Sequence, residues 1–258
     1  MNEIMTVIVS SFYCILRPLG MFIILPIFST GVLLSNFIRN SIMIAFTLPI
    51  IVENYTFSEK LPSGIFQLTG IVLKEISIGF FIGLSFTIIF WAIDAAGQII
   101  DTLRGSTISA IFNPSISDSS SITGVMLYQF ISVIFVIHGG IQSILDKLYL
   151  SYEILPLQAD IAFNRALIDF LFSLWDSFIK LILSFSVPMI IGIFLCDMGF
   201  GFLNKTAPQL NVFTLSLPVK SLIAIFILLL VIHVFPDFIT ANIHSDIIDR
   251  SLPSMINE

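Results

Sequence analysis

The chain has 258 residues, of which 57% are apolar and only 11% charged, with 26 Phe and a mean hydropathy of +1.04. A soluble domain carries about 25% charged residues, so this composition excludes an ordinary water-soluble globule and calls for lipid or apolar protein around the chain. The formal net charge is −6 and the 11 Lys and Arg are scattered singly, which leaves no basic stripe for phosphates and excludes a nucleic-acid partner.

Six apolar regions follow one another, at 4–28, 32–52, 65–103, 122–145, 166–196 and 210–236. Each is near or above the ~20 residues that a spanning helix requires. The expected fold class is all-α, a polytopic membrane-type protein of bent helical hairpins, with 1–258 forming a single domain. Residues Met1–Met5 lack the basic n-region of a secretory signal, so insertion is expected through the internal segments. Charges interrupt the apolar runs. Arg17-Pro18 falls in the first, Arg39 in the second, Lys74-Glu75 in the third, Asp176 and Lys180 in the fifth, and Lys220 in the sixth. A charge at mid-membrane depth costs at least ~2.5–3.5 kcal/mol. These side chains must therefore face a protein interior, a watery cavity or an interface. Pro18, Pro26, Pro49, Pro188 and Pro218 lie within or beside the same runs and are expected to kink or break helices.

The third region is the longest without proline. A continuous helix from Gly70 to Gly105 would reach about 54 Å, well beyond a ~30 Å hydrocarbon core. Gly79 and Gly83 make a GxxxG step that lets another helix approach closely. After Trp91, Asp94, Gly97, Gln98, Asp101, Arg104 and Gly105 recur on one helical face. That face reads either as an amphipathic extension at the membrane surface or as a wall turned to a neighbouring subunit or aqueous conduit. Residues 106–121 form the long Ser/Asn/Pro segment, expected to be an exposed loop. A second polar connection covers about 146–165. Asp176 and Lys180 stand in the favourable acid-first i,i+4 order for an ion pair. Asp197 precedes Met198-Gly199-Phe200-Gly201, read as a flexible break. The tail from Pro236 reads as an amphipathic helix ending before Pro253.

Lys and Arg show no loop bias of the kind that orients ordinary permeases. Catalytic chemistry has no foothold: no HExxH, GxSxG, Walker A or GxGxxG pattern occurs. His138, His233 and His244 are isolated, and His138 and His233 read as packing residues in apolar runs. Cys14 and Cys196 sit apart in apolar stretches and read as buried free thiols. No catalytic, cofactor-binding or metal-ligating residue is expected. A secondary transporter or permease is the alternative, but it should show paired half-repeats with matching broken helices, and none is visible.

The stretch Ala207-Pro208-Gln209-Leu210-Asn211-Val212-Phe213, followed by Leu215-Ser216-Leu217-Pro218-Val219-Lys220, strongly resembles the signature of the SctT/SpaR/FliR family, the T component of the type III secretion export apparatus. The resemblance extends to Arg17-Pro18, Gly20, Pro26 and Arg39. It continues through Lys74-Glu75, Gly79, Gly83, Ala96-Gly97, Asp101, Gly105 and Pro114, then His138-Gly139-Gly140, Ser151-Tyr152, Pro156 and Asp197. It implies a non-enzymatic structural subunit, without cofactor, of a hetero-oligomeric gate for unfolded proteins in the bacterial inner membrane. The implied partners are R-type and S-type export apparatus subunits, a U-type switch protein, secreted proteins in transit and membrane lipid. The resemblance also implies an assembly or gate role for Arg17, Pro18, Arg39, Lys74, Glu75, Gly79, Gly83, Gly97, Asp101, Gly105, Pro114, Asp197, Pro208, Gln209, Asn211, Pro218 and Lys220. The charged residues among them are expected to pair across subunit contacts.

Overall fold

In a computed structural model, described for residues 2–28, 35–53, 65–106, 121–157, 165–207, 209 and 211–231, every long element is a helix. They are α1 (Asn2–Ile24), α2 (Asn36–Glu53), α3 (Ile65–Leu103), α4 (Ile122–Ile137), α5 (Gly140–Ile154), α6 (Arg165–Thr206) and α7 (Val212–Val231), with a 3-10 turn at Pro26–Phe28. The all-α, polytopic membrane-type class therefore holds. Among the described residues five helices are long and apolar enough to cross a membrane, Val7–Ile24, Asn36–Glu53, Phe66–Leu103, Leu167–Thr206 and Thr214–Val231, and α4 with α5, bent by 66°, would make a sixth if the pair is one span. Helices α3 and α6, of 39 and 42 residues, extend about 58 and 63 Å, roughly twice a hydrocarbon core.

Within the chain's own packing the helices are unequal. The apolar window of α3 is 61% buried, against 28% for α6, 17% for α7 and 11% for α2. Helix α3 is therefore an inner helix. The other three turn most of their Leu, Ile, Val and Phe outward, among them Leu48, Phe172, Trp175, Leu195, Leu222 and Phe226.

Contacts divide the described residues into two units, one drawn from 2–88 and 139–174, the other from 89–138 and 175–231. In the first, α1 lies against α3 at backbone distance. A Cβ on Gly79 would overlap the Arg17 carbonyl oxygen, one on Gly20 the Ile76 carbonyl oxygen, and one on Gly83 would come 2.8 Å from the Met21 carbonyl oxygen. The GxxxG step is thus a contact surface for α1. Thr87 Oγ1 reaches the Ile24 carbonyl at 3.2 Å and so covers an orphan acceptor at the end of α1. Beyond it Phe22, Phe28 and Phe46 pack together, with Phe22 and Phe28 stacked at 4.3 Å.

In the second unit, Phe90 of α3 meets Tyr128 and Phe135 of α4 at 5.8 and 5.2 Å, above buried Ile93, Ala96, Ile100, Leu127 and Ile131. Helix α6 touches α7 where Gly192 leaves room for Ile227. Helix α3 ends in a Schellman motif: the Ser106 amide donates to the Asp101 carbonyl at 3.1 Å, the Gly105 amide to Thr102 at 3.1 Å, and Gly105 takes φ 80°.

Most of the prolines do not end their helices. Pro18, Pro49, Pro188 and Pro218 lie inside helices that continue past them, and only Pro26 opens a break. Each proline frees the carbonyl four residues earlier, and a helix can run on when that acceptor finds another donor. Pro18 shows how. The freed Cys14 carbonyl accepts the Tyr152 hydroxyl at 2.9 Å. Met198–Gly201 is likewise no break, since α6 runs through to Thr206. The expected loop within 107–120 and the amphipathic tail beyond Pro236 lie outside the described residues.

These glycine environments give opposite signs for one substitution. Gly79→Ala is expected to lower stability by about 1–3 kcal/mol through overpacking. Gly70→Ala, whose Cβ meets nothing within 4 Å, should raise it by about 0.4–1 kcal/mol. Resistance to SDS-induced unfolding in mild detergent measures both; equal effects at the two sites would contradict the packing described.

Candidate functional site

Polar chemistry gathers in three places, two of them buried. The first, in the first unit, centres on Arg17, which has no exposed surface. Its Nε donates to Glu75 Oε2 at 2.8 Å, its Nη1 to Ser151 Oγ at 2.9 Å and its Nη2 to the Leu155 carbonyl at 2.9 Å. The guanidinium also lies 3.9 Å from the centroid of the Tyr152 ring, a cation–π geometry. Glu75 is equally buried, and its second oxygen has the Lys74 ammonium 3.2 Å away. Lys74 Nζ donates in turn to the Leu157 carbonyl at 2.7 Å. Leu155 is the C-cap of α5, so its carbonyl needs an outside donor. One planar fork thereby ties α1, α3 and the end of α5 together.

The second place is in the second unit. Asp101 Oδ2 accepts from Ser121 Oγ at 2.6 Å and from the Thr123 amide at 3.0 Å. Arg104 Nη2 lies 2.7 Å from Asp101 Oδ1. Ser121 is the N-cap of α4, its hydroxyl accepting from the Gly124 amide at 2.8 Å. A carboxylate from α3 thus sits on the positive end of α4, where negative charge is favoured. Gly97 and Gly124 make this approach possible, since a Cβ on Gly97 would collide with Gly124 backbone. Gln98 Nε2 donates to Asp94 Oδ2 at 2.8 Å. Gly97 and Asp101 of the polar face after Trp91 are therefore packed against the start of α4 in the same chain. Gln98 on the same face stays exposed.

The third place joins Lys220 of α7 to Asp197 of α6 in an ion pair, with the Lys220 side chain 14% exposed and that of Asp197 48%. Farther along α6, Lys180 and Asp176 pair at 2.5 Å as their spacing foretold, with both side chains largely exposed.

The structure thus brings together Arg17, Lys74 and Glu75, with Pro18, Gly79 and Gly83 beside them. It brings Gly97 and Asp101 together, with Gly105 closing the helix that carries them, and joins Asp197 to Lys220. Asn211 precedes α7, Gln209 lies exposed in the turn before it and Pro218 sits inside it. Among the described residues the Arg39 side chain makes no ion pair, and Pro114 and Pro208 lie outside them. The ion pairs described here lie within the chain. Sequence reasoning missed Tyr152, Ser121, Thr123 and Arg104 as partners. Ser121 three residues before Gly124 at the head of an apolar run was a readable N-cap signal, whereas Tyr152 against Pro18 carries none. His138 caps the C-terminal end of α4 and is exposed, not packed in a run. Cys14 is buried and Cys196 partly exposed, both free. Among the described residues no group of three His, Cys, Asp or Glu could hold a metal.

The arrangement suits joining apolar helices in fixed register. The family model described as bacterial export proteins, family 1, matches residues 8–245. The chain belongs to this family. Among bacterial export proteins similar to it, the secretion system apparatus protein SsaT of Salmonella typhimurium is 38% identical over 216 residues, 83% of each chain. Yop proteins translocation protein T of Yersinia pestis is 32% identical over 223 residues, 84% of each chain. The flagellar biosynthetic protein FliR of Buchnera aphidicola is 27% identical over 241 residues, covering 91% of this chain and 90% of that one.

For this family member the Arg17 cluster gives a sharp expectation. Glu75→Gln leaves a buried guanidinium without its counter-charge and should cost about 3–5 kcal/mol. Arg17→Met with Glu75→Leu should cost less than the two single changes added together. A double-mutant cycle in detergent measures this coupling, and strict additivity would show that the pair is not energetically linked.

Proposed function

We propose that this chain is the T-type structural subunit of a type III secretion export gate. In this reading it forms part of the conduit for unfolded proteins across the bacterial inner membrane. The carrying observation is the family match over 8–245, nearly the whole chain. The physical features agree with it. The polar clusters hold helices together, which a structural role needs and a catalytic one does not. Helices α2, α6 and α7 keep most of their apolar surface free, as a subunit buried among other apolar subunits would. Helices about twice the length of a hydrocarbon core favour apolar protein as part of that surrounding. The partners in this reading are R-type and S-type subunits and a U-type switch protein, with no small-molecule turnover. An injectisome is favoured over a flagellum by the 38% and 32% identities to the two non-flagellar relatives, against 27% to the flagellar one.

Deleting the gene is expected to abolish secretion of all substrates together, because a shared conduit would be lost. A tagged copy should recover R- and S-type subunits, with this chain as the minority species. Purification as a homodimer, with loss of uptake of a single solute on deletion, would replace this reading by a permease.

A further inference from the structure

Four helices carry an internal proline, and each proline leaves the carbonyl four residues earlier without its helical donor. The freed carbonyls belong to Cys14, Ala45, Ser184 and Thr214. Pro18 and Cys14 are both buried, and the chain answers that carbonyl itself through Tyr152. The other three residues are exposed. Among the described residues no side chain and no other element donates to their carbonyls.

Two of these three have water within reach. Thr214 lies in the first turn of α7, and Ser184 stands one turn from the exposed Asp176–Lys180 pair. Ala45 has neither advantage. It lies about 12–14 Å from either end of α2, at the middle of a helix apolar enough to span a membrane. The charged residues of α2, Arg39 and Glu53, are more than a turn away on either side. Around Ala45 the outward surface is made by Ile44, Leu48 and Val52, all exposed. Ser41, one turn earlier, adds an exposed hydroxyl that has no partner among the described residues.

Together these features restrict what covers the face. Water would leave Ile44, Leu48 and Val52 unburied. Lipid would bury them but offers no donor, and a bare acceptor in hydrocarbon is strongly disfavoured. A protein helix meets both demands, with apolar side chains for the flanks and a polar one for the carbonyl. Ser41 and Ala45 are small and share a face, so such a helix can come close. Tyr152 on the Cys14 carbonyl is the same device within the chain. We propose that this face of α2 docks an apolar helix of another export-gate subunit, which places a hydroxyl or carboxamide side chain on the Ala45 carbonyl. The proposal rests on the export-gate reading above and adds to it a place and a chemistry of contact.

Pro49→Ala tests it by sign. The new amide at position 49 bonds the Ala45 carbonyl within α2, so the outside donor loses its acceptor. In mild detergent the lone chain should then unfold at a higher SDS fraction. A tagged copy should nonetheless recover partner subunits about tenfold less well, the worth of one interhelical hydrogen bond. Independently, a photo-crosslinking residue replacing exposed Leu48 should join a co-purifying R- or S-type subunit, identified by mass spectrometry. Unchanged partner recovery with Pro49→Ala overturns the proposal. Loss of SDS resistance together with loss of partners also overturns it, since Pro49 would then serve the chain's own fold. So does a Leu48 crosslink that reaches only lipid, a second copy of this chain, or nothing. Should Pro49→Ala fail to accumulate, the Leu48 crosslink decides alone. Failure of the unsubstituted tagged chain to recover any subunit would instead remove the export-gate reading, whatever stands at position 49.

Discussion

The packing of the first unit turns on one buried guanidinium. Arg17 is surrounded by apolar side chains, yet its three nitrogens reach an acid, a hydroxyl and a helix-end carbonyl on two other elements. A buried ion pair is not in itself a large source of stability, because desolvation offsets most of the attraction. Its effect is selective. Sliding α1 by one turn along α3 would leave Arg17 and Glu75 buried and apart, so the register that joins them is separated from its competitors by several kcal/mol. The glycines allow the backbones to close in that register: Gly20, Gly79 and Gly83 each lie against an opposing carbonyl.

The second unit solves the same problem with different chemistry. Where the first uses a cation among acceptors, the second sets a carboxylate against amides at a helix start. Asp101 reads the head of α4 through Ser121 and Thr123, and Gly97 and Gly124 bring the backbones close enough for it to do so. In both units apolar surface supplies the bulk of the attraction without direction, and a handful of polar atoms supplies the direction. An all-apolar set of helices would have many packings of similar energy.

How much of this was legible follows from the same division. Apolar runs mark helices because their length and composition are local properties, and α3 was visible as one uninterrupted rod. Partners are not local. Arg17 and Glu75 were readable as costly charges, but nothing in their own neighbourhoods names Ser151 or Leu155 as the groups that complete them. Lys220 was readable as a costly ammonium, but nothing beside it names Asp197 on α6 as its acid. The polar face from Asp94 to Arg104 has the periodicity of a surface helix, and periodicity does not distinguish water from the amide end of α4. Whether a proline ends its helix is undetermined in sequence for a related reason. Its cost falls on the carbonyl four residues back, and at Pro18 the donor that answers that carbonyl, Tyr152, lies 138 residues from it in sequence.

The span of sequence across which Arg17 is satisfied has a consequence for how the protein is made. Its acid follows 58 residues later and its hydroxyl 134 residues later. A ribosome adding about 5–20 residues per second leaves several seconds in which α1 has emerged and its counter-charge, or its last acceptor, has not. During that interval α1 carries an uncompensated cation and, at Pro18, an unclaimed carbonyl, neither of which lipid can answer. The contacts that satisfy Arg17 can therefore close only after the chain has been made as far as Leu155, well after α1 itself.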